Sequence, residues 1–456
     1  MSSHTAFDCA DQVRISKSVG IFELGLVSGN ANMVISTDRY TSPEFAAKER
    51  EKIWMKVWQA AGRADEIPQP GDWKEHRIYD QSFIIARGKD NQIRAFVNSC
   101  THRGNALCVS KKGHSARFTC PYHLWSFNLE GQLVGMGQPH LVGDLDKKQH
   151  GLIQVSADTL AGFIFINPDP DAMPLREYIG EDIVSFLEPY KLDEMTPVMD
   201  VKEALECNWK VVNDAFQESY HIQGIHPELL SVIESDIHKN RYNFINDHNL
   251  AVAPFEVKKK PGFGPEEEVA GIMALPATFP GVAQVLPAFE QRVATYRNEA
   301  GELEFPEGVS GVTLLQQATR QTLGHNGLDV SGLSDEQMTT NHGYLLFPNF
   351  FMTVRAGECH IIVTTPHPDG DPNRCVWHVA SYMWLPPSVR DEYRAAPVEV
   401  EEAGSYPYFL ALQQDYEQMP RQQRGLRNKG LTHITLAQEE VCIANFHSKV
   451  DQYLAR

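Results

Sequence analysis

The sequence predicts an α+β chain: a first domain made almost wholly of strands, then a second in which an antiparallel sheet carries a long helix near the C-terminus. Three observations lead there. Short β-branched and aromatic runs separated by turn residues fill 72–170, similar runs recur over 343–383, and a helical pattern occupies 407–427. At 456 residues the chain is long enough for two or three full-sized cores.

Residues 1–48 read as a polar arm and the start of a helix. From Ser42 to Val57, Phe45, Ile53, Trp54 and Val57 recur at helical spacing among Glu and Lys, which predicts an amphipathic helix closed by a Pro70-Gly71 turn. The β domain is placed at 49–170. Its runs are Ser82–Ala86, Gln92–Val97, Ala116–Cys120 and Gly162–Ile166, with turns at Gly88–Asn91 and Glu130-Gly131. Asn167-Pro-Asp-Pro-Asp171 is a turn-rich hinge into 171–456.

Two loops of the β domain each offer one thiolate and one imidazole, as Cys100-Thr-His102 and Cys120-Pro-Tyr-His123. A Rieske-type [2Fe–2S] cluster needs two Cys on one iron and two His on the other, which these loops supply if each gives one ligand to each iron. A structural zinc ion also accepts Cys2His2, although zinc sites more often pair like with like. The neighbours extend the motifs to Cys100-Thr-His102-Arg103-Gly104 and Cys120-Pro-Tyr-His123-Leu-Trp125. In this the chain resembles the Rieske non-haem iron oxygenases, the large subunits of aromatic-ring-hydroxylating oxygenases. The resemblance implies that Cys100 and Cys120 hold one iron, that His102 and His123 hold the other, and that a second metal site follows.

Residues 208–227 carry the candidate: Asn208-Trp-Lys, then Glu218-Ser-Tyr-His221, then His226-Pro227. At about 100° per residue, Asp214, Glu218 and His221 share one helical stripe, while His226 is about 140° away. Gly224 and Pro227 let the helix end so that His226 returns. Two His and one carboxylate from elsewhere form the facial triad that holds a mononuclear Fe(II). The segment also resembles the family's iron-binding stretch, which implies His221 and His226 as ligands. For the carboxylate, the resemblance alone selects Asp415, ahead of Gln423-Arg424-Gly425-Leu426, over the neighbouring Glu417. Glu218 stands where the best-known ring dioxygenases have Asp. By resemblance it joins an iron-ligating His to the cluster-ligating His123 of a neighbouring subunit, and the longer side chain puts cis-dihydroxylation in doubt. Glu218 and Asp214 are the candidate catalytic carboxylates.

Residues 235–342 read as loops with helical fragments laid over a sheet, punctuated by Lys260–Pro265 and Pro287. Gly343–Phe347, Phe350–Val354, His360–Thr364 and Val376–Met383 read as strands. With the final helix they fit the helix-grip catalytic domain that the resemblance implies. Phe216, Phe347, Phe350 and Phe351 are the candidate pocket walls.

The net charge of −18 argues against nucleic acid and anionic membranes. No run of about 18 apolar residues is present, nor a basic and then apolar leader. Cys9, Cys108, Cys207, Cys359, Cys375 and Cys442 read as reduced thiols of a cytoplasmic protein. Without a G-x-G-x-x-G fingerprint, NAD(P)H must act through a separate reductase, with or without a ferredoxin. Lys111, Lys112, His114 and Arg117 offer such a partner a positive surface. The resemblance implies a terminal oxygenase using O2, a [2Fe–2S] cluster and Fe(II) to hydroxylate, dihydroxylate or dealkylate a mostly apolar, aromatic or polycyclic substrate. It also implies a homotrimer, with or without a small β subunit. Two other readings stay open: a Rieske electron carrier without catalysis, and a hydrophobe-binding helix-grip module stabilised by zinc.

Overall fold

Apolar runs of strand length build two sheets that lie against each other. The computed structural model describes residues 33–227, 229, 240–257, 263–277, 279–437 and 439–456. Residues 1–32 of the expected arm, with Cys9, lie outside the described residues, as do Lys260, Pro261 and Gly262 of one expected turn.

Among the described residues, the first sheet has seven strands, in the order Gln59–Arg63, Phe163–Asn167, Gln154–Leu160, Ile93–Val97, Gln81–Arg87, Asp72–Ile78, Lys112–His114. A small sheet of Phe118–Thr119, Ser126–Phe127 and Leu133–Gly135 carries the second Cys/His loop. Trp73, Phe96, Phe118, Trp125, Phe127 and Leu133 fill the core between the two.

The second sheet has eight described strands: Arg241–Ile245, His248–Ala253, Asn341–Leu346, Phe350–Arg355, Glu358–Pro366, Cys375–Met383, Thr196–Leu205 and Val398–Val400. All pair antiparallel except the last, which runs parallel to Thr196–Leu205. Successive side chains of a strand point to opposite faces, and the two faces here have different neighbours. On one, Phe350 meets Phe163 and Phe165 of the first sheet, with ring centroids 5.0 and 5.6 Å apart. Arg63 crosses the same seam, donating to the carbonyls of Leu192 and Asp193 and lying over the Phe163 and Tyr382 rings. On the other face lie the helices Trp209–Ala215 and Leu410–Leu426; Thr364 Oγ1 donates to Asn213 Oδ1 at 3.0 Å.

The region expected to be loops with helical fragments holds the helices Pro265–Ala274, Leu286–Ala294 and Gly311–His325, which pack around Ile272, Phe289, Leu314 and Ala318, and also two strands of the second sheet, Arg241–Ile245 and His248–Ala253. The N-terminal segment also differs from an arm once it is described. Val34–Ser36 pairs with His433–Thr435, and the helical stretch over 38–54 sends Tyr40, Ile53 and Trp54 into the main core.

One charged pair is wholly enclosed. Lys210 Nζ lies 2.7 Å from Glu49 Oε1, with side-chain exposures of 0% and 1%. Burial pushes the Lys210 pKa down and the Glu49 pKa up, and the opposite charge of each partner counters it. Removing one partner strands the other charge. Lys210→Met is therefore expected to cost about 3–5 kcal/mol in denaturant unfolding, most of it recovered in Glu49→Leu/Lys210→Met. Equal losses in the single and double variants would show that the pair is not the source.

Candidate metal centres

Two loop tips bring the four predicted cluster ligands together. Gly104, at φ +75°, lets the first loop turn back so that its N–H donates to the Cys100 carbonyl at 2.8 Å. In the second loop Leu124 adopts φ +60°, and its N–H reaches the Cys120 carbonyl at 3.0 Å. Cys100 and Cys120 are both buried. Burial lifts the Cys100 thiol pKa and the adjacent Cys120 adds to it, while the backbone N–H groups of His102 and Arg103 point at its sulfur and oppose the rise. The His102 and His123 rings lie 4.6 Å apart, edge to face. Trp125 stacks flat on His102 at 4.9 Å, which explains the tryptophan of the motif. Gly137 passes so close to His123 that a Cβ there would sit 2.7 Å from the His123 carbonyl oxygen.

A [2Fe–2S] cluster fits this set. Two buried thiols lie side by side, backbone donors are aimed at sulfur, and His123 Nδ1 is buried with no hydrogen-bond partner among the described residues. Lys111, Lys112, His114 and Arg117 are all exposed, but Lys111 is paired with Glu399 and His114 with Asp72.

The second constellation also converges, by a route different from the expected one. The helix that was to carry Asp214, Glu218 and His221 on one stripe ends at Ala215, and a separate turn of helix covers Ile222–Ile225. The break lets Asp214 and Glu218 face different neighbours, which the shared face of i and i+4 would forbid. Asp214 accepts from the Tyr40 hydroxyl at 2.7 Å and lies 3.2 Å from His447 Nε2, away from the histidine pair. It belongs to the scaffold, and its expected catalytic placement is corrected. Tyr40 and His447 were missed because they are far away in sequence and carry no local motif.

Glu218 turns the other way. Its Oε1 lies 2.5 Å from His221 Nδ1, and its Oε2 accepts the His221 backbone N–H at 3.0 Å. His226 Nδ1 lies 2.7 Å from Gln414 Oε1, a partner not foreseen although it precedes Asp415. With both Nδ1 atoms engaged, the Nε2 atoms turn inward. His226 Nε2 lies 3.1 Å from Asp415 Oδ1 and His221 Nε2 lies 3.8 Å from it. One ligand atom from each of His221, His226 and Asp415 falls within 4.8 Å of the other two. Burial works against charge on His221, but the Glu218 hydrogen bond and the charges of Glu218 and Asp415 outweigh it and raise its pKa. One carboxylate and two oriented imidazoles, with Glu218 behind one of them, suit a divalent cation, and Fe(II) fits the donor set. Glu417 faces outward, with 49% of its side chain exposed beside Arg421.

The four aromatic candidates divide. Phe216 and Phe351 meet at 5.7 Å on the helix side of the sheet. Phe350 is spent on the seam with the first sheet, and Phe347 stacks on Tyr453 at 5.2 Å and meets Phe446. Phe347 and Phe350 are core residues, a correction to the expected pocket.

The comparisons with known proteins match both domains. A family model for the Rieske [2Fe-2S] domain matches residues 57–145, and one for the ring hydroxylating alpha subunit (catalytic domain) matches residues 192–456. The oxygenase subunit of glycine betaine monooxygenase from Chromohalobacter salexigens is 35% identical over 198 residues, 43% of this chain and 44% of the relative. The large subunit of anthranilate 1,2-dioxygenase from Acinetobacter baylyi is 28% identical over 285 residues, 58% of this chain and 59% of the relative. The chain thus spans about half the length of the curated relatives it matches. Their names do not single out an apolar aromatic substrate. A solved structure of a quaternary ammonium Rieske monooxygenase shares the fold, with a TM-score of 0.64 at 20% identity over 95% of this chain and 99% of that one. Since the catalytic-domain model covers more than half of the sequence, the chain belongs to the ring-hydroxylating alpha subunit family, with a Rieske domain ahead of its catalytic domain.

Proposed function

We propose that the chain is the terminal oxygenase of a multicomponent system, which receives NAD(P)H-derived electrons from a separate reductase and inserts oxygen from O2 into a small organic substrate. The observation that carries this reading is the convergence of His221, His226 and Asp415 on one point, with Glu218 and Gln414 orienting the two rings from behind. A pure electron carrier has no use for that second centre, and neither has a binding module stabilised by zinc on the Cys2His2 loops. When bound, the cluster supplies single electrons and the iron supplies activation of O2.

The chain's own residues do the rest. Asp415, His221 and His226 would hold the iron as a three-ligand set, which would leave coordination positions for O2 beside the substrate. Phe216 and Phe351, whose rings meet at 5.7 Å on the helix side of the sheet, are our candidate apolar wall for the substrate. Glu218 holds His221 by Nδ1 and so fixes the orientation of its ring.

We also infer a head-to-tail trimer in which His123 of one chain approaches Glu218 of the next. Tyr122 and Leu124 stand exposed around His123, and Tyr220 stands exposed beside His221, at 56%, 58% and 54%. Apolar surface at both centres is what an interface would bury. A rotation that closes after three copies gives every cluster an iron to serve. The solved quaternary ammonium monooxygenase is described with inter-subunit electron transfer, which supports this reading.

The test is product analysis with isotopically labelled O2, using the cluster- and iron-loaded chain with reductase and NADH over a panel of aromatic, steroid-like, alkyl-ether and amine compounds. At least one labelled oxygen in a product is expected. NADH consumption without labelled product from any compound would overturn the oxygenase reading.

A further inference from the structure

The helix that begins at Trp209 ends at Ala215 with no breaker of its own. Residues 215–219 read Ala-Phe-Gln-Glu-Ser and hold neither Gly nor Pro. Continued for another turn, the helix would send the Ser219 N–H to the Ala215 carbonyl and the His221 N–H to the Gln217 carbonyl. Glu218 would then stand beside Asp214, a like charge at i and i+4, and would lose its backbone contact with His221. The Ser219 N–H goes elsewhere. It donates at 3.2 Å to Glu439 Oε1, on a carboxylate 220 residues further along the chain.

Glu439 lies just ahead of the C-terminal helix Val441–Ala455, and that helix grips the broken stretch at further points. At its near end His447 Nε2 lies 3.2 Å from Asp214. In the middle Gln217 Oε1 accepts from Asn249 Nδ2, which also donates to the Cys442 carbonyl at 2.7 Å. Asn445 Nδ2 donates in turn to Asn249 Oδ1 at 2.6 Å. At the far end Glu439 takes the Ser219 hydroxyl at 2.8 Å as well as the N–H. Asp214, Gln217, Asn249, Glu439, Asn445 and His447 are all buried, so a donor or acceptor released here would find no water to replace its partner.

Of these contacts, that of Glu439 is the one that takes a backbone N–H of the broken stretch, and so competes directly with the helical bond. Its place is fixed from a third side. The Tyr242 hydroxyl donates to the same Oε1 at 3.1 Å, and Asn240 Nδ2 donates to Ser219 Oγ at 3.0 Å. One oxygen thus collects three donors and stands ready where the Ala215 carbonyl would otherwise serve. The other, Oε2, is buried with no hydrogen-bond partner among the described residues, so an amide nitrogen in its position would break no bond. With the helix interrupted, Glu218 Oε2 accepts the His221 N–H at 3.0 Å while Oε1 holds the ring by Nδ1.

We propose that Glu439 is a positioning residue of the iron site: by taking the N–H and hydroxyl of Ser219 it keeps the segment before His221 out of the helix, and so lets Glu218 grip that ligand by ring and backbone together. The inference rests on His221 being an iron ligand, as the oxygenase reading has it, and adds a residue that touches neither metal nor substrate. Holding a ligating histidine from behind is worth about 10–100-fold in metal affinity. Here that hold depends on a carboxylate from the far end of the catalytic domain.

The test is the Fe(II) affinity of the cluster-loaded chain, stripped of mononuclear iron and dialysed to equilibrium against Fe(II) without reductase, substrate or O2. Glu439→Leu is expected to weaken binding about tenfold or more, with the cluster absorption unchanged. Glu439→Gln keeps one carbonyl oxygen for the same donors and should bind within about threefold of the wild type. Glu218→Ala should weaken binding by a similar factor to Glu439→Leu, and Glu218→Ala/Glu439→Leu should be no weaker than Glu218→Ala alone. Losses that merely reflect a looser structure would multiply instead. Ser219→Ala removes the hydroxyl contact alone, should cost about threefold, and stands in if Glu439→Leu fails to load its cluster. Wild-type affinity in Glu439→Leu or in its stand-in, a Gln variant as weak as the Leu variant, or multiplied losses in the double variant would each overturn the proposal. Iron binding that depends on Glu439, with no labelled product, would count against the oxygenase reading alone. Labelled product from a chain whose iron binding is indifferent to Glu439 would count against this inference alone.

Discussion

Alanine at His221, His226 or Asp415 is expected to abolish product formation while the visible absorption of the Rieske cluster stays unchanged. Total iron should fall from about three to about two per chain, because the cluster keeps its own two. The reason is geometric. Each of the three contributes one ligand atom to a set in which no two atoms are more than 4.8 Å apart, so losing one leaves two donors for a site that needs three. Glu417→Ala is the internal control. That carboxylate reaches Arg421 and Gln413 at 3.3 Å on the exposed side of the helix, where a pair contributes about 0–1 kcal/mol. Full activity in Asp415→Ala together with loss in Glu417→Ala would show that the carboxylate had been misassigned by two residues.

The second large effect is recovery of activity from two dead proteins. Cys100→Ser removes a cluster ligand, and its chains should be colourless and inactive. His221→Ala chains should be coloured and inactive. Co-assembled, they should turn over substrate, because an intact cluster on one chain can serve an intact iron on the next. Glu218→Gln, assembled alone, should keep both metals and reduce the iron slowly, since the amide still reaches His221 Nδ1 but lacks the negative charge. Mixed assemblies that stay inactive would mean that electrons do not cross the interface, and the trimer and the bridging role of Glu218 would both fall.

The two Cys/His loops were legible because their spacing is covalent, whereas only the resemblance pointed to Asp415. A thiolate and an imidazole two or three residues apart on one turn face the same point in any fold that buries the turn. The strands at Gln81–Arg87 and Phe163–Asn167 were legible for a similar reason, since apolar runs bounded by turns leave few alternatives. What failed was long-range or hidden by position. Pro265 and Pro287 read as turn residues, yet each sits in the first turn of a helix, where a missing N–H costs nothing. Asp214 looked like a partner of Glu218 because the pattern assumed an unbroken helix. Its real partners, Tyr40 and His447, come from the two ends of the chain. Phe350 and Phe351 are adjacent in one strand, so both could never have lined the same pocket.

The seam between the two sheets bears on how the protein times its chemistry. Phe350 sits between Phe163 and Phe165, and Arg63 is tied by hydrogen bonds and ring contacts across the same boundary. Such a joint has no slack for a swinging arm, and the gap between a chain's own two centres becomes a constant of its architecture. Electron release then cannot be governed by a head that travels back and forth. Timing would then have to be set at the centres themselves, where Glu218 holds His221.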